Sequence, residues 1–427
     1  MELRVRPGGA LRGEARVPGD KSITHRALIA AALAQGQSAI RGFDPFDDSL
    51  RTVEALWACG VRIEETGRGE LRVWGRGLQG LISPAGPIDC GASGTTMRLL
   101  AGVLAGQPVT ATLDGAPALR RRPMDRVIEP LARMGARIEG RAAPFTVHGG
   151  GLHGIDYTLP VASAQVKSAI LLAALNAQGE TVVREPAPCR DHTERLLRRL
   201  GVPLEMAGGV IRCRPATQWP GADFELPGDI SSAAFLLVAA TLVPGSEVVV
   251  CDTGVNPTRA AVIDVLRAMG GRVEVTGLRD TAGGEPQANL AVRPAGLRGV
   301  EIGGAIIPNL IDELPILAVA ATQAQGTTLV RDAAELRVKE TDRIAALAEE
   351  LTAMGASFTS TPDGFVVEGP TPLRGAKVDS HGDHRTAMAL AVAGLVARGE
   401  TVIRGAEAID KSFPGFAATL RALGAGV

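Results

Sequence analysis

The sequence predicts an α/β protein of six β-α-β-α-β-β repeats, three in each of two domains. Two observations lead to this prediction: segments of one grammar recur along the chain, and 427 residues are more than one hydrophobic core usually organises. In each segment a small or acidic polar residue precedes an Ala/Leu-rich helix, and Gly and a β-branched strand follow it. The six segments are 66 to 83 residues apart and open with Asp20, Ser93, Ser163, Asp229, Asp312 and Asp383.

Each repeat also contains a second helix, which ends in an apolar–Gly–apolar turn. Gly just after the last helical turn supplies the left-handed conformation that ends many helices. The stretch 279–289, rich in Gly and Pro, lengthens the fourth repeat, and we expect it to be a surface loop.

The two ends of the chain predict how the domains are divided. The sixth repeat stops without its closing strands, whereas the N-terminus has strands with no helix before them, so the simplest closure lets residues 1–17 complete the sixth repeat. We therefore expect a discontinuous domain of residues 1–18 and 229–427 and an inserted domain of residues 19–228, with the active site in the cleft between them. Pro-Gly-Asp stands at both expected crossings, 18–20 and 227–229.

Composition excludes several classes of protein. A net charge of −1 argues against non-specific binding to nucleic acid, which needs a strong basic excess. The five cysteines are scattered without a CxxC pair, which argues against structural zinc and a disulfide framework. No apolar run reaches bilayer length, and residues 1–4 do not begin a signal peptide. We expect a cytoplasmic protein.

Charged residues gather where the predicted helices begin. A helix N-terminus presents free N–H groups and a partial positive charge, so several such ends together suit an anionic ligand. Only five of the 45 basic residues are lysines, and three of these five stand at such positions: Lys21, Lys339 and Lys411.

Four candidate sites follow from this pattern. Lys21, Ser22 and Arg26 open the first helix, with Ser22 and Arg26 on one face. The loop Gly91–Arg98 can cradle an anion with its N–H groups, although an ordinary capped turn explains it equally well. Three arginines, 120–122, precede Pro123; a solvated charge run is the usual explanation, and Arg122 is the best anion ligand of the three.

The fourth site combines the fifth and sixth repeats. Asp312 opens an apolar helix, and Lys339 and Arg343 are expected to share one face of the next helix, with Glu340 between them. A carboxylate flanked by cations can exchange a proton while its neighbours hold an anion, whereas an exposed capping network is the plain alternative. The set is completed by residues 383–385 and 410–412. The histidines at 25, 148, 153 and 192 lack metal-ligand spacing and are interpreted as structural or incidental.

Taken together, these segments resemble the 5-enolpyruvylshikimate-3-phosphate synthase family, also called 3-phosphoshikimate 1-carboxyvinyltransferase. The resemblance covers nearly the whole chain and rests on eight stretches that occur in order: GDKSITHRA, GASGTTMRL, RRPM, SAQVKSA, LIDELP, RVKETDR, DHR and KSFPGF. It implies the two-domain enolpyruvyl transferase-like fold, an inside-out α/β barrel with three repeats to a domain, in agreement with the repeat pattern.

The resemblance also implies a reaction and its ligands. A carboxyvinyl group passes from phosphoenolpyruvate to the 5-hydroxyl of shikimate 3-phosphate in aromatic amino-acid biosynthesis, and phosphate is released. The residues implied to bind phosphoenolpyruvate are Lys21, Gly94, Arg122, Gln165, Arg343, Arg385 and Lys411. Those implied to bind shikimate 3-phosphate are Lys21, Ser22, Arg26, Ser163, Gln165, Asp312 and Lys339.

The implied chemistry needs two proton transfers and no metal or organic cofactor. Glu340 is the candidate acid for the methylene carbon of phosphoenolpyruvate, and Asp312 is the candidate base for the 5-hydroxyl. Lys21, together with Arg122, Arg385 and Lys411, is expected to stabilise the leaving phosphate. The domains are expected to close when anions fill the space between their cationic walls.

The sequence departs from the commonest family pattern in a few places. Ala92-Ser93 replaces an Asn-Ala pair, Ala164 replaces a Ser, and Arg190 stands near the position of a lost aromatic residue. Because Gly94 is retained, we expect glyphosate, which competes with phosphoenolpyruvate, to inhibit the protein.

Three other functions are considered. The sister transferase that acts on UDP-N-acetylglucosamine needs a loop Cys, which residues 115–122 lack. RNA 3′-phosphate cyclases share the repeat, but near-neutral charge and a single Tyr offer little surface for base stacking. A non-catalytic anion-binding protein of the same fold would not need both Asp312 and Glu340. The expected partners are therefore the two small substrates, without nucleic acid or membrane, and the expected state is a monomer.

Overall fold

The computed structural model describes residues 1–427 and divides the chain into two compact units. The discontinuous unit comprises Met1–Pro18, Pro227–Arg279 and Pro286–Val427. The inserted unit comprises Gly19–Leu226 and Asp280–Glu285. Each unit has a hydrophobic core of its own.

Three apolar helices pack together in each unit, because their Ala/Leu-rich sequences can be buried on nearly every side. They are Lys21–Leu33, Gly94–Ala105 and Ala164–Ala174 in the inserted unit, and Ile230–Leu242, Leu314–Thr322 and His384–Val396 in the discontinuous unit. The second helix of each repeat leaves one side in solvent; these helices are Asp47–Ala58, Asp125–Arg133, His192–Arg199, Ala261–Ala268, Arg343–Ala353 and Phe416–Ala422. Short helices are Pro117–Arg120, Ile307–Leu310 and the 3₁₀ turns Gly304–Ile306, Ala334–Val338 and Ala406–Lys411.

Sheets of one topology surround these helices. In the inserted unit the strands of the three sheets are, in spatial order, Asp223–Glu225, Gln35–Arg41, Glu70–Arg76 and Arg62–Gly67; Ile88–Asp89, Thr110–Asp114, Phe145–His148 and Arg137–Glu139; and Asp156–Thr158, Thr181–Arg184, Val210–Cys213 and Leu204–Ala207. The first pair in each sheet is parallel and the following pairs are antiparallel.

The discontinuous unit repeats this order twice and ends with a smaller sheet. Its strands are Arg12–Arg16, Glu247–Gly254, Pro286–Arg293 and Arg272–Asp280; Glu301–Ile302, Gly326–Val330, Gly364–Gly369 and Ser357–Thr361; and Lys377–Asp379, Thr401–Arg404 and Glu2–Val5. The repeating element in both units is therefore the βαβαββ repeat that the sequence predicts.

The N-terminal strands differ from the expectation. Glu2–Val5 pairs with Thr401–Arg404 and closes the sixth sheet, but Arg12–Arg16 pairs in parallel with Glu247–Gly254 in the fourth sheet. The prediction that residues 1–17 complete the sixth repeat is thus wrong for its second strand. Likewise, Asp223–Glu225 precedes the helix of the fourth repeat but pairs with the strand of the first. At each of the two places where the chain passes from one unit to the other, the last strand before the passage pairs within the unit that the chain is leaving.

The expectation of a surface loop at residues 279–289 is also wrong for most of this stretch. Two long strands, Arg272–Asp280 and Pro286–Arg293, occupy most of this stretch, and a short turn joins them. The turn groups with the inserted unit, where Glu285 Oε1 lies 2.8 Å from Nδ1 of His192 and both side chains are buried. Alternating Val and Leu residues allow strands here despite the high Gly content.

The predicted helix-opening residues are N-caps in five of the six repeats. The side chains of Asp20, Ser93, Ser163, Asp229 and Asp383 accept hydrogen bonds from backbone N–H groups of the first turn. The exception is Asp312, because helix Leu314–Thr322 begins one residue later than that pattern requires, with Glu313 at its N-cap position. The Asp312 carboxylate is therefore available to side chains.

None of the helices is by itself both long enough and apolar enough to cross a bilayer; the segments Gly304–Leu310 and Leu314–Thr322 meet those criteria only as a sharply bent pair.

His25 ties the first two repeats of the inserted unit together. Its Nδ1 lies 2.7 Å from Oγ1 of Thr52, which in turn lies 2.8 Å from Oγ1 of Thr96, and all three side chains are buried. Burial lowers the pKa of His25 to about 3, so the ring stays neutral over the physiological range. The histidine is structural, as predicted.

This pKa shift makes the stability of the inserted unit depend on pH. Between pH 6.5 and about 3 the unfolded chain takes up a proton at His25 that the folded chain refuses. As the pH is lowered through this window, His25 alone should therefore reduce the free energy of unfolding by up to ~1.4 kcal/mol per pH unit. Urea unfolding of the wild type and of His25→Asn at several pH values measures it. An equal pH slope in both proteins would contradict this role of His25.

Candidate active site

The first helix begins with a cation and contains a second, buried one. Lys21 Nζ lies 2.8 Å from Oδ2 of Asp48, and both side chains are mostly covered. The guanidinium of Arg26 is buried and donates to three neutral oxygens: Oγ1 of Thr193 at 2.7 Å, Oγ of Ser168 at 2.8 Å and the backbone oxygen of Ser22 at 2.8 Å. Ser22 and Arg26 thus lie one turn apart on the same helix, as expected, and their role in binding stays a prediction.

None of the three groups that accept hydrogen bonds from Arg26 is a carboxylate, so these bonds do not neutralise its positive charge. Desolvation lowers the pKa of its guanidinium, and the negative charges of Glu194 and Asp20 oppose this effect. Because the ordinary pKa of an arginine side chain lies far above neutrality, the guanidinium stays protonated at neutral pH. A buried cation held by neutral oxygens is well prepared for a phosphate or carboxylate.

Two guanidinium groups lie against the start of the second repeat. Gly94 is the first residue of its helix, and a Cβ built on it would lie 3.0 Å from Nη1 of Arg122 and 3.1 Å from Nη1 of Arg98. Glycine at this position therefore lets both guanidinium groups approach the helix N-terminus, where backbone N–H groups favour anions. Arg122 takes its place here, whereas Arg120 pairs with Asp114 at 2.6 Å.

Gln165 is held by residues of the second repeat. Its Oε1 accepts from Nη1 of Arg98, and its Nε2 donates to Oγ1 of Thr95 at 2.9 Å. Ser163 caps the helix on which Gln165 stands. The structure thus brings Gly94, Arg122 and Gln165 together through Arg98.

Sequence reasoning missed Arg98 as a site residue. It named this arginine only as the end of a motif, although Arg98 is a cation in an otherwise apolar helix, one turn after Gly94. That position on the helix was the available signal. Arg190, which stands near the lost aromatic position, contributes a positive charge that acts on Arg26.

In the discontinuous unit, three carboxylates surround one buried guanidinium. Arg343 is 1% exposed; its Nε lies 2.9 Å from Oδ2 of Asp383, its Nη2 2.7 Å from Oε2 of Glu340 and its Nη1 3.3 Å from Oδ1 of Asp312. Burial opposes the charge on Arg343, but the three carboxylates outweigh it and raise the pKa of the guanidinium. The proposed acid and the proposed base therefore share one cation.

Asp312 faces two further cations. Arg385 Nε lies 3.6 Å from its Oδ1, and Arg385 Nη1 donates to its backbone oxygen at 3.3 Å. The ammonium group of Lys339 is densely surrounded by protein although the residue as a whole is partly exposed; desolvation lowers its pKa, and Asp312 is the strongest opposing charge.

The expected placement of Lys339 and Glu340 on a helix needs correction. Helix Arg343–Ala353 begins after Asp342, so Lys339 and Glu340 lie in the preceding segment and cannot share a helical face with Arg343. The contact between Glu340 and Arg343 forms nonetheless, because the side chains reach across the N-cap. Lys411 is exposed, and its Nζ donates to the backbone oxygen of Gly382 at 3.0 Å.

One cluster has residue types that ligate metals: Glu349, Glu350 and His381. His381 Nε2 lies 2.7 Å from Oε1 of Glu350, so a hydrogen bond accounts for their approach. The predicted site residues are not part of this cluster.

Comparisons with known proteins indicate one family. The family model described as EPSP synthase (3-phosphoshikimate 1-carboxyvinyltransferase) matches residues 5–420. A 3-phosphoshikimate 1-carboxyvinyltransferase of Citrifermentans bemidjiense is 52% identical over 416 residues, which are 96% of each chain, and one of Desulforudis audaxviator is 51% identical over 99% of each chain.

Solved structures confirm the fold. EPSP synthase from Acinetobacter baumannii superposes with a TM-score of 0.90 at 41% identity, covering 99% of this chain and 98% of the other. The enolpyruvyl transferase NikO from Streptomyces tendae gives a TM-score of 0.81 at 20% identity, with 99% and 97% covered. The enolpyruvyl transferase-like fold expected from the sequence is therefore confirmed.

The contact between Arg343 and Asp383 predicts a large effect of a small substitution. Asp383→Asn keeps an N-cap side chain but leaves the buried guanidinium with one carboxylate fewer, so the free energy of unfolding should fall by about 3 kcal/mol. Asp342→Asn is the matched control, because Asp342 also caps a helix but pairs with the partly exposed Arg337, and it should cost less than about 1 kcal/mol. Chemical denaturation measures both.

The same pair predicts a pH dependence. Burial favours the neutral acid, but Arg343 and His384 hold the pKa of Asp383 below its ordinary value of 3.8. The stability difference between wild type and Asp383→Asn should therefore stay constant above that value and shrink as the pH falls below it. A difference that grows on acidification would show that the carboxylate is not stabilised in this way.

Proposed function

Because the chain belongs to the EPSP synthase (3-phosphoshikimate 1-carboxyvinyltransferase) family, we propose that the residues described above carry out that family's reaction. The enzyme transfers the carboxyvinyl group of phosphoenolpyruvate to the 5-hydroxyl of shikimate 3-phosphate and releases phosphate. The observation that best supports the residue roles is the grouping of Asp312 and Glu340 around the buried Arg343.

The cations divide between the substrates by their surroundings. Arg26, held by neutral oxygens, suits shikimate 3-phosphate together with Ser22, Ser163 and Lys339. Arg122 beside Gly94 suits phosphoenolpyruvate; Arg343, Arg385 and Lys411 complete its set. Lys21 and Gln165 serve both substrates. Since these residues come from both units, we propose that catalysis needs the two units to bind the same pair of substrates.

The reaction consists of an addition and an elimination. Glu340 donates a proton to the methylene carbon of phosphoenolpyruvate, which makes C2 electrophilic, while Asp312 accepts the proton of the attacking 5-hydroxyl. The tetrahedral intermediate then loses phosphate from C2, and this phosphate takes up the proton held by Asp312. The Glu340 carboxylate takes back a proton from the new methyl group, which restores the double bond. Lys21 and Arg122, with Arg385 and Lys411, stabilise the departing phosphate.

Arriving anions also prepare the acid and the base. Before substrates bind, Arg343 holds both carboxylates through ion pairs. A phosphate or carboxylate that binds to Arg343 competes for its N–H groups, and so weakens its hold on Glu340 and Asp312. Substrate binding is thereby linked to freeing the groups that move protons.

The alternatives are less well supported. The family match and the relatives concern the shikimate reaction and do not favour transfer to UDP-N-acetylglucosamine. A non-catalytic anion-binding role would leave the placement of two carboxylates on one cation without a purpose.

Phosphate release from the two substrates tests the assignment. The wild type should release phosphate only when both substrates are present. Asp312→Asn and Glu340→Gln should each lower kcat by about 10²-fold or more, because each removes one proton transfer. Glu247→Gln, which breaks an exposed pair with Arg293, should be unchanged. If the wild type releases no phosphate, the function is wrong; if only Glu340→Gln is fully active, the acid is wrong.

Glyphosate and Gly94→Ala test the phosphoenolpyruvate site. A methyl group on Gly94 would press on the guanidinium groups of Arg122 and Arg98, so Gly94→Ala should raise the KM for phosphoenolpyruvate several-fold while kcat changes little. Micromolar glyphosate should inhibit the wild type at sub-saturating phosphoenolpyruvate, and Gly94→Ala less. Unchanged turnover of the wild type under these conditions would exclude glyphosate as a competitor.

We further propose that the chain acts as a monomer in the cytoplasm. Its five cysteines are free thiols, four of them buried, which suits a reducing compartment. Light scattering after size-exclusion chromatography should give the mass of one chain, 44.1 kDa.

A further inference from the structure

A second charge network lies next to Asp312 in the sequence. Glu313 is completely buried, and its Oε1 lies 2.9 Å from Nη1 of Arg259, which is 4% exposed. The hydroxyl of Ser231 donates to the same carboxylate oxygen and also contacts Arg259. A buried carboxylate and a buried guanidinium each offset part of the desolvation cost of the other.

This network joins the starts of three helices. Ser231 lies in the first turn of Ile230–Leu242, which Asp229 caps; Arg259 precedes Ala261–Ala268; and Glu313 precedes Leu314–Thr322. Asp229 Oδ1 is 3.7 Å from Nη2 of Arg259. Asp229, which opens the fourth repeat, has no role in the proposed chemistry. Its position beside Arg259 makes it part of this charge network.

The backbone carries the effect of the network to Asp312. Glu313 N donates to the oxygen of Leu310 at 2.9 Å, and its own oxygen accepts from Leu317 N at 3.0 Å. With the side chain of Glu313 held by Arg259 and Ser231 as well, the peptide that joins it to Asp312 has little freedom. The orientation of that peptide sets the direction in which the side chain of Asp312 leaves the backbone.

The contacts of Asp312 itself are different in kind. Its carboxylate meets Arg343 and Arg385, both of which the proposed function assigns to phosphoenolpyruvate. When an anion occupies those two guanidinium groups, their hold on Asp312 weakens. The pair of Arg259 and Glu313 is buried and is not part of that exchange.

We propose that Glu313, Arg259 and Ser231 are positioning residues that hold Asp312 in place while Arg343 and Arg385 bind substrate. This inference rests on the proposed function, in which Asp312 accepts the proton of the 5-hydroxyl. Displacement of a base by a fraction of an ångström slows proton transfer far more than it weakens binding.

Steady-state kinetics of Glu313→Gln and Ser231→Ala test the proposal. Glu313→Gln should lower kcat about tenfold and Ser231→Ala about threefold, while both KM values stay within about twofold of the wild type. Each substitution is then combined with Asp312→Asn. If Glu313 and Ser231 act through Asp312, neither should lower the residual kcat of Asp312→Asn any further.

A matched control separates positioning from general destabilisation. Ser246 is a buried serine of the same unit that accepts from Leu11 N at 2.9 Å. Ser246→Ala should lower the Tm about as much as Ser231→Ala does but leave kcat unchanged. If Glu313→Gln does not fold, Ser231→Ala decides the question, since it removes only one hydroxyl.

The outcomes are distinguishable. Equal losses of kcat in the wild-type and Asp312→Asn backgrounds would show that the network is merely structural and overturn the proposal. Wild-type kcat in both single variants would overturn it as well, while a kcat of Asp312→Asn lowered about 10²-fold would leave the proposed function standing. A fully active Asp312→Asn would instead overturn the role of Asp312, and the positioning role with it.

Discussion

The buried guanidinium of Arg343 is the constraint on which the discontinuous unit's part of the site depends. A cation that is 1% exposed must be compensated, and Asp383, Glu340 and Asp312 supply the compensation from three different segments. Asp383 is fully buried and caps a helix, so it is the permanent partner. Glu340 and Asp312 are more exposed, and a substrate anion can take over their share of the charge.

The inserted unit solves the opposite problem. Its buried cation, Arg26, is held by hydroxyl and carbonyl oxygens, and its positive charge is left for a ligand. Gly94 also favours positive charge in this unit. Because it has no Cβ, Arg122 and Arg98 can approach a helix N-terminus. The buried Arg343 of the discontinuous unit is therefore already paired with carboxylates, whereas the buried Arg26 of the inserted unit is held by neutral oxygens. In the proposed function both proton-transferring carboxylates belong to the discontinuous unit, whereas both units contribute cations that bind the substrates.

The repeat explains why such sites form at helix starts. Every repeat places a capping residue, free N–H groups and an apolar helix in the same order, so a charged side chain beside the cap enters a field that is already positive. Asp312 departs from this rule because its helix begins later, at Leu314. The carboxylate of Asp312 thereby faces Arg343 and Arg385 instead of capping a helix, and Glu313 forms a buried ion pair with Arg259.

The sequence by itself determined the six repeats, the apolar helices and five of the six caps, because these depend on local periodicity and on one or two neighbouring residues. The family motifs indicated most of the residues of the proposed site. Only the tertiary structure decided that Arg12–Arg16 pairs within the fourth sheet, that Arg98 holds Gln165 and that Arg259 compensates Glu313. A strand's edge accepts many partners, and a buried charge accepts any opposite charge that packing brings near. Those choices are made by residues far apart in the chain, and no local pattern records them.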